Sequence, residues 1–398
     1  MPYLLPHSST TDRKLLLILA FGDLSYLEVC TVLGKRLLSS NRLWDDVAVV
    51  ELKDARGGYE NLAGVHKVAV SITPNHRARL DDIKELDDFL QGLDDGFNFS
   101  VSLYSPDATS ETEYEETLST LLSVVRDAGF RKANLVRPRG GTEVLAREVA
   151  SRELVDFVVL RLGGKYTVGV TSYVPDAAQF QARSKERPVV SSQIAISSRL
   201  ARLLLNLSGV PKGGVVLDPF CGSGTILSEA IMIGAKCVGV DRDRNRVANS
   251  RQNLEWLLRT RNISTKPYSL KVGDSTRLET LMEGIQVDAV VTEPILLPRV
   301  DFAPTIEKAK KMVRNSSRLY SEALYAMASV VRKGGRLVVV APSLRTAEGK
   351  DVSVLLENVG AAGLVPFQPV DRPFEYPVRI AHENTRWIRR LIYVFERT

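Results

Sequence analysis

The chain has 398 residues, 44% of them hydrophobic, which is room for two or three domains with a core each, while its longest apolar runs, such as Leu15 to Phe21, are too short to cross a bilayer. No signal-peptide pattern opens it, and three scattered cysteines (Cys30, Cys221, Cys237) and four isolated histidines offer neither a disulfide framework nor a metal site, so the expectation is a soluble, cytoplasmic protein without a metal. The net charge of +6 is unevenly spread: residues 1–130 hold 12 Lys+Arg against 21 Asp+Glu, a net of −9, which leaves +15 for the remainder and makes nucleic acid the leading partner class over a merely solvated basic surface.

In chain order, residues 1–95 read as a small α+β domain. Strand Lys14–Ala20 leads to helix Leu24–Leu38 and strands Val47–Leu52 and Val65–Ile72. The acidic stretch Asp81 to Asp95 suits a solvated helix face better than a metal site. A second unit, 96–175, reads as strand Ser100–Tyr104, helix Glu113–Ala128, strand Ala133–Pro138, a helix near Glu143–Leu154, and strands Asp156–Leu162 and Tyr166–Val174. Basic residues gather at its turns, in Arg131, Lys132, Arg137 and Arg139, with Arg147 and Arg152 on the following helix. Residues 176–195 read as a linker, polar and basic in Arg183, Lys185 and Arg187 and closed by Pro188.

Residues 196–398 alternate strand and helix to the end, the pattern of a doubly wound sheet whose ligand crevice lies beyond the carboxyl ends of its strands. A long helix leads into the strand that starts at Val215. Later strands are expected at Ser269–Val272, Val287–Val291, Arg336–Val340, Leu364–Val370 and Leu391–Phe395, with helices at Arg244–Arg259, Thr305–Arg332 and Asp351–Val359 between them.

The most informative run is Val215 to Ala230, VVLDPFCGSGTILSEA. A strand ends in Asp218, a turn follows through Phe220, Gly222 and Gly224, and a helix opens. The glycines let the backbone turn tightly and approach a ligand, because neither carries a Cβ. The helix behind them offers free N–H groups and a positive dipole end. Asp218 would repel a pyrophosphate there but suits a cation that also carries a carboxylate, such as S-adenosylmethionine. The next strand, KCVGVD, ends in Asp241, 23 residues after Asp218 and followed by Arg242, at the distance where an acid commonly accepts hydrogen bonds from ribose hydroxyls. A third acid, Asp274, followed by Ser275, ends the next β-like stretch, where a side chain beside an adenine would sit. Each acid taken singly also reads as a helix N-cap. Cys221, inside the turn with no histidine close in sequence, reads as a packing residue rather than a nucleophile.

Nearly the whole chain resembles tRNA guanosine-N2 methyltransferases that carry a THUMP RNA-binding domain, most closely those acting on guanosine 10. The phrases that carry the likeness are FGDLSYLEVCTVLG, LVRPRGGTEVLAREVASRELVDFVV and QARSKERP in the first half, then SRLARLLLNLSG, VLDPFCGSGTILSEA and VGVDRDRNRVANSRQNL. The resemblance implies a ferredoxin-like α+β domain, a THUMP domain, and a Rossmann-like class I methyltransferase domain with a seven-stranded sheet. It also implies S-adenosylmethionine as cofactor, tRNA as partner and, as in some relatives, a small zinc-binding activator subunit.

That family carries an Asp-Pro-Pro-Tyr type tetrapeptide after its fourth strand, where this chain has Glu293-Pro294-Ile295-Leu296. In the family a polar side chain and a backbone carbonyl accept from the exocyclic amine and aim its lone pair at the methyl group, and the aromatic residue stacks on the base. Glu293 and Pro294 can still supply the acceptors, although Glu293 also reads as a helix N-terminal charge or a ligand to the methionine amine. The aromatic is missing, and base stacking is worth roughly 1–3 kcal/mol. Leu296 or Leu297, or a loop aromatic among Phe302, Phe374 and Tyr376, would have to replace it. The target nucleotide must be turned out of its helix at a few kcal/mol. Basic contacts from Arg137, Arg139, Arg147, Arg183, Lys185 and Arg187 and from Lys308 to Arg318 would offset that, unless Lys310 and Lys311 are simply a solvated helix face. The expected function is N2-methylation of a tRNA guanosine. The alternative is a tRNA-binding scaffold that has lost catalysis with its aromatic.

Overall fold

In the first sheet, Leu15 to Leu19 are all buried, the mark of a strand covered on both faces. The computed structural model describes residues 13–53, 58–73, 76–77, 79–81, 83–107, 109–190, 196–294, 297, 300, 302–369, 374–380 and 387–398. They form two units, 1–22 with 33–176, and 23–32 with 177–398.

The first unit contains β1 (Arg13–Leu19), β2 (Leu37–Trp44), β3 (Val47–Leu52), β4 (Val65–Ser71), β5 (Asn98–Tyr104), β6 (Asn134–Leu135), β7 (Val155–Leu162) and β8 (Lys165–Tyr173). The helix α1 (Asp23–Leu33) follows β1 in sequence but groups with the second unit; α2 (Lys84–Leu90), α3 (Glu111–Asp127) and α4 (Ala146–Ser151) belong to the first. Its strands form one eight-stranded sheet in the order β2-β3-β1-β4-β8-β7-β5-β6. The two α+β units expected over 1–95 and 96–175 therefore share a sheet, joined where β4 pairs antiparallel with β8. A buried ion pair spans the same join: Lys67 Nζ on β4 lies 2.8 Å from Asp156 Oδ2 on β7. Ser100, Ser102 and Thr171 also donate to that carboxylate, so the buried charge is fully solvated by protein. The acidic stretch becomes α2, with Leu86, Phe89 and Leu90 buried and the acids turned outward.

The second unit continues with α5 (Ala177–Lys185), α6 (Ser198–Ser208), β9 (Val215–Asp218), α7 (Thr225–Met232), β10 (Lys236–Asp241), α8 (Arg244–Thr260), β11 (Tyr268–Val272), α9 (Leu278–Met282) and β12 (Val287–Thr292). After them come α10 (Ile306–Val330), β13 (Val331–Arg345), β14 (Asp351–Ser353), β15 (Leu364–Pro366), β16 (Val378–Arg379) and β17 (Ile388–Arg397). The seven-strand path is β11-β10-β9-β12-β13-β17-β15, with β14 on β13 and β16 on β17. The first five strands run parallel and β17 runs antiparallel to both neighbours. The order reverses beside β9, which puts the crevice at the carboxyl ends of β9, β10 and β12. Leu217, Val240, Val290, Leu337 and Val339 build the core under it, with α10 laying Tyr320, Leu324 and Met327 on the sheet.

Three local expectations fail. The helix from Leu24 stops at Leu33, and β2 starts at Leu37, because Leu37 to Trp44 find a ladder partner in β3. The linker is not irregular: α5 occupies Ala177–Lys185. The helix expected over Asp351–Val359 is instead β14, since its alternating D-V-S-V pattern pairs with β13 and buries Val354.

Candidate active site

The glycine turn connects β9 to α7 as its spacing predicts. Asp218 ends β9 and is 2% exposed. Its Oδ1 accepts 3.1 Å from the Phe220 N–H and 2.7 Å from Thr292 Oγ1. Burial pushes this carboxyl up to about 7, the two donors pull it down, and the charges of Asp241 and Glu293 add to the rise. Asp241, buried at the end of β10, accepts from the Gly222 N–H at 3.0 Å through Oδ2 and from the Asp243 N–H at 3.0 Å through Oδ1. Each oxygen keeps a second acceptor position. Gly222 has φ +51°, and a Cβ there would meet nothing closer than 3.9 Å, so it borders open space. Gly224, φ +83°, differs: a Cβ would come within 2.5 Å of Ser250 Oγ.

Asp274 takes the capping role that each acid also allowed. Its Oδ1 accepts from the N–H and hydroxyl of Thr276, and those bonds hold its carboxyl below the usual range. Asp274 and Arg242 are exposed, and Ser275 is buried. Burial drives the Cys221 thiol well up, with the Asp218 and Asp241 charges adding to it, which fits a packing residue.

Glu293 follows β12 and sits beside Arg390, whose Nε lies 2.5 Å from Glu293 Oε1; both side chains are nearly buried. Since β17 is antiparallel, its first residues lie at the same sheet edge as the end of β12. Pro294 is buried. Of the substitutes for the aromatic, Leu296 lies outside the described residues. Leu297 is in the core, Phe374 is tilted against Tyr26 at 5.8 Å, and the Tyr376 hydroxyl donates to the Phe367 carbonyl at 2.8 Å. Phe302, 84% exposed, is the candidate that faces solvent.

Two of the expected RNA contacts are corrected. Arg183 is 6% exposed and forks onto Glu229 with Nε at 2.5 Å and a terminal nitrogen at 3.1 Å. Arg187 is buried and donates to Thr225 Oγ1 at 2.6 Å. The Glu229 carboxylate holds Arg183 and the Thr225 hydroxyl holds Arg187, and both side chains are buried rather than presented at a surface. Lys185 and Arg147 are exposed, Arg137 pairs at the surface with Glu115, and Arg139 reaches Glu148 at 2.9 Å. Sequence reasoning missed Thr292, Arg390 and Asn253, whose side chain holds the turn through the Ser223 carbonyl at 2.9 Å.

A parallel sheet with one antiparallel strand next to its edge, and buried carboxylates ending two adjacent strands around a glycine turn, define the Rossmann-like methyltransferase class. Residues 186–350 match the family described as UPF0020, RMKL-like, methyltransferase domain. The tRNA (guanine(10)-N2)-dimethyltransferase of Pyrococcus abyssi is 30% identical over 181 residues, 46% of this chain and 49% of that protein. The protein of the same name from Methanothermobacter thermautotrophicus is 35% identical over 162 residues, 41% and 43% of the two chains. The chain thus spans about half the length of the curated relatives it matches, or somewhat less. TrmN from Thermus thermophilus superposes with a TM-score of 0.53 at 17% identity, covering 97% of this chain and 100% of that one, a likeness of fold. Among the described residues no helix is long and apolar enough to cross a membrane, and no group of His, Cys, Asp or Glu is set to hold a metal.

Proposed function

We propose that the chain is an S-adenosylmethionine-dependent methyltransferase that forms N2-methylguanosine in tRNA, at position 10. The observation that carries this reading is the buried pair Asp218 and Asp241 around an open glycine turn, inside the stretch that matches the methyltransferase family. The tRNA and the exocyclic amine come from the names of the relatives.

The residues present fit the cofactor. Asp218 is a desolvated carboxylate that a fixed cation would stabilise in its ionised form. Asp241 is preset by two backbone N–H groups with acceptor positions left for a cis-diol. When bound, S-adenosylmethionine supplies an electrophilic methyl group on a sulfonium. The protein's part is orientation. Glu293, fixed by Arg390, accepts from the guanine amine, and the Pro294 carbonyl provides a second acceptor, which together localise the nitrogen lone pair. The carboxylate also opposes the positive charge that builds on that nitrogen during transfer.

Labelled methyl transfer into unmodified tRNA, followed by mass spectrometry of its nucleosides, tests the reading and counts one methyl or two. Glu293→Ala is expected to lower turnover by at least a hundredfold with cofactor affinity intact, and full activity in that variant would remove the residue from the mechanism. The scaffold reading draws on one observation, the non-aromatic tetrapeptide. Incorporation well above background excludes it.

A further inference from the structure

Four neighbouring strands bring one residue each to a single cluster beyond the end of β12. Asp351 comes from β14, Arg345 ends β13, Arg389 is the second residue of β17 and Arg379 ends β16. The ladder sets the spacing, with Arg345 opposite Asp351, Ser343 opposite Arg389 and Arg379 opposite Leu391. All three guanidinium groups reach the one carboxylate, at 3.3, 3.1 and 3.4 Å for Arg345, Arg379 and Arg389. The acid lies underneath at 12% exposed, while the arginine side chains are 38%, 64% and 44% exposed. Among the described residues Asp351 is the carboxylate bonded to any of them.

As a stability device this arrangement is poor. A surface ion pair is worth about 0–1 kcal/mol, and three like charges over one acid repel each other. A second anion would relieve the repulsion. Each guanidinium has five N–H donors in a planar fork, and each commits one nitrogen to Asp351. The fork suits the oxygens of a phosphate. Arg389 is also the chain neighbour of Arg390, the partner of Glu293, so the cluster lies at the same end of β17, on the opposite face of the strand.

We infer that Arg345, Arg379 and Arg389, held together by Asp351, form a binding site for backbone phosphate of the RNA at the end of the sheet that carries Glu293. The inference rests on the tRNA-methyltransferase reading. It is tested with Arg379→Gln and Arg345→Gln, singly and together, by fluorescence anisotropy of an unmodified tRNA transcript across a KCl series, with S-adenosylmethionine affinity measured by calorimetry on the same samples. Each lost phosphate contact should lower the slope of log affinity against log salt by roughly 0.7–0.9. We expect three- to tenfold weaker tRNA binding per substitution at moderate salt, with cofactor affinity unchanged, which also certifies the fold. Arg379→Lys should keep most of the slope, since its point charge still meets a phosphate. Wild-type binding with the same slope in both Gln variants overturns the site alone. A wild-type chain that binds no tRNA overturns the functional reading with it.

Discussion

At the Asp218 side chain, folding and binding pull in opposite directions. Burial raises this carboxyl to about 7 from an ordinary 3.8, so the folded chain holds a proton that the unfolded chain releases. Its contribution to stability is whole below pH 3.8 and is lost as pH climbs through 7. Asn cannot ionise, and its oxygen can still accept the bonds from Phe220 and Thr292, both of which fall on Oδ1. Asp218→Asn should therefore be more stable than wild type at pH 8, by about 1–3 kcal/mol, and equal to it near pH 4, as calorimetric melting in the two buffers will show. The same variant should lose cofactor affinity. In wild type that affinity should rise about tenfold per unit between pH 5 and 7, because a cation binds the ionised form and expels the proton. Asp218 was legible because strand, acid and glycines stand within one short run. Thr292, 74 positions away, and Arg390, 97 positions from Glu293, were not, since only the sheet brings them together. Arg183 and Arg187 misled for the converse reason: a polar, basic run reads as exposed unless the buried Glu229 that receives Arg183 is known.

The elements around the turn separate a glycine that serves the fold from one that serves a ligand. Gly239, mid-β10, would carry a Cβ 2.5 Å from Leu227, 2.7 Å from Leu270 and 3.1 Å from the Cys221 Cβ, so α7, β11 and the turn all close on it. Gly239→Ala should cost about 1–3 kcal/mol through overpacking. Gly222→Ala meets open space and pays only for its left-handed backbone, about 1 kcal/mol, yet puts a methyl on the rim where the cofactor is proposed to lie. Denaturant melts and cofactor titrations of the pair should cross over: Gly239→Ala the less stable, Gly222→Ala the weaker binder. Comparable losses in both measurements for both variants would show that the turn does not face a ligand. Elements with a clear apolar period were legible at this scale, as in α3, α8 and β9 to β12. The failures came where tertiary pairing overrode local propensity. Asp351 to Ser353 became a strand because β13 offers it a ladder, and α5 became a helix because Arg183 on it can reach Glu229 on α7.

Across the whole molecule, the order of domains in sequence is not the order in which the chain stabilises itself. The first 175 residues read as two units, yet Lys67 in one half and Asp156 in the other are a buried pair, and removing one partner of such a pair typically costs 3–5 kcal/mol. The second unit likewise does not begin at residue 177: α1 groups with it, with the buried Glu28 accepting 2.6 Å from Asn206 and Tyr26 set against Phe374. A fragment of 177–398 retains every strand of the methyltransferase sheet and every proposed cofactor contact but lacks α1. The amphipathic α6 that carries Asn206 would then keep its other packing while losing the bond to Glu28, and Phe374 would lose the Tyr26 ring beside it. Against a net stability of only about 5–15 kcal/mol for a domain, a buried polar bond and a ring contact are a noticeable loss. The fragment should therefore melt well below the full chain and bind a hydrophobic dye. Adding saturating S-adenosylmethionine should recover part of the difference by mass action, because the carboxylates that hold it are all present. A fragment as stable as the whole chain would mean that α1 is only a passenger on the second unit.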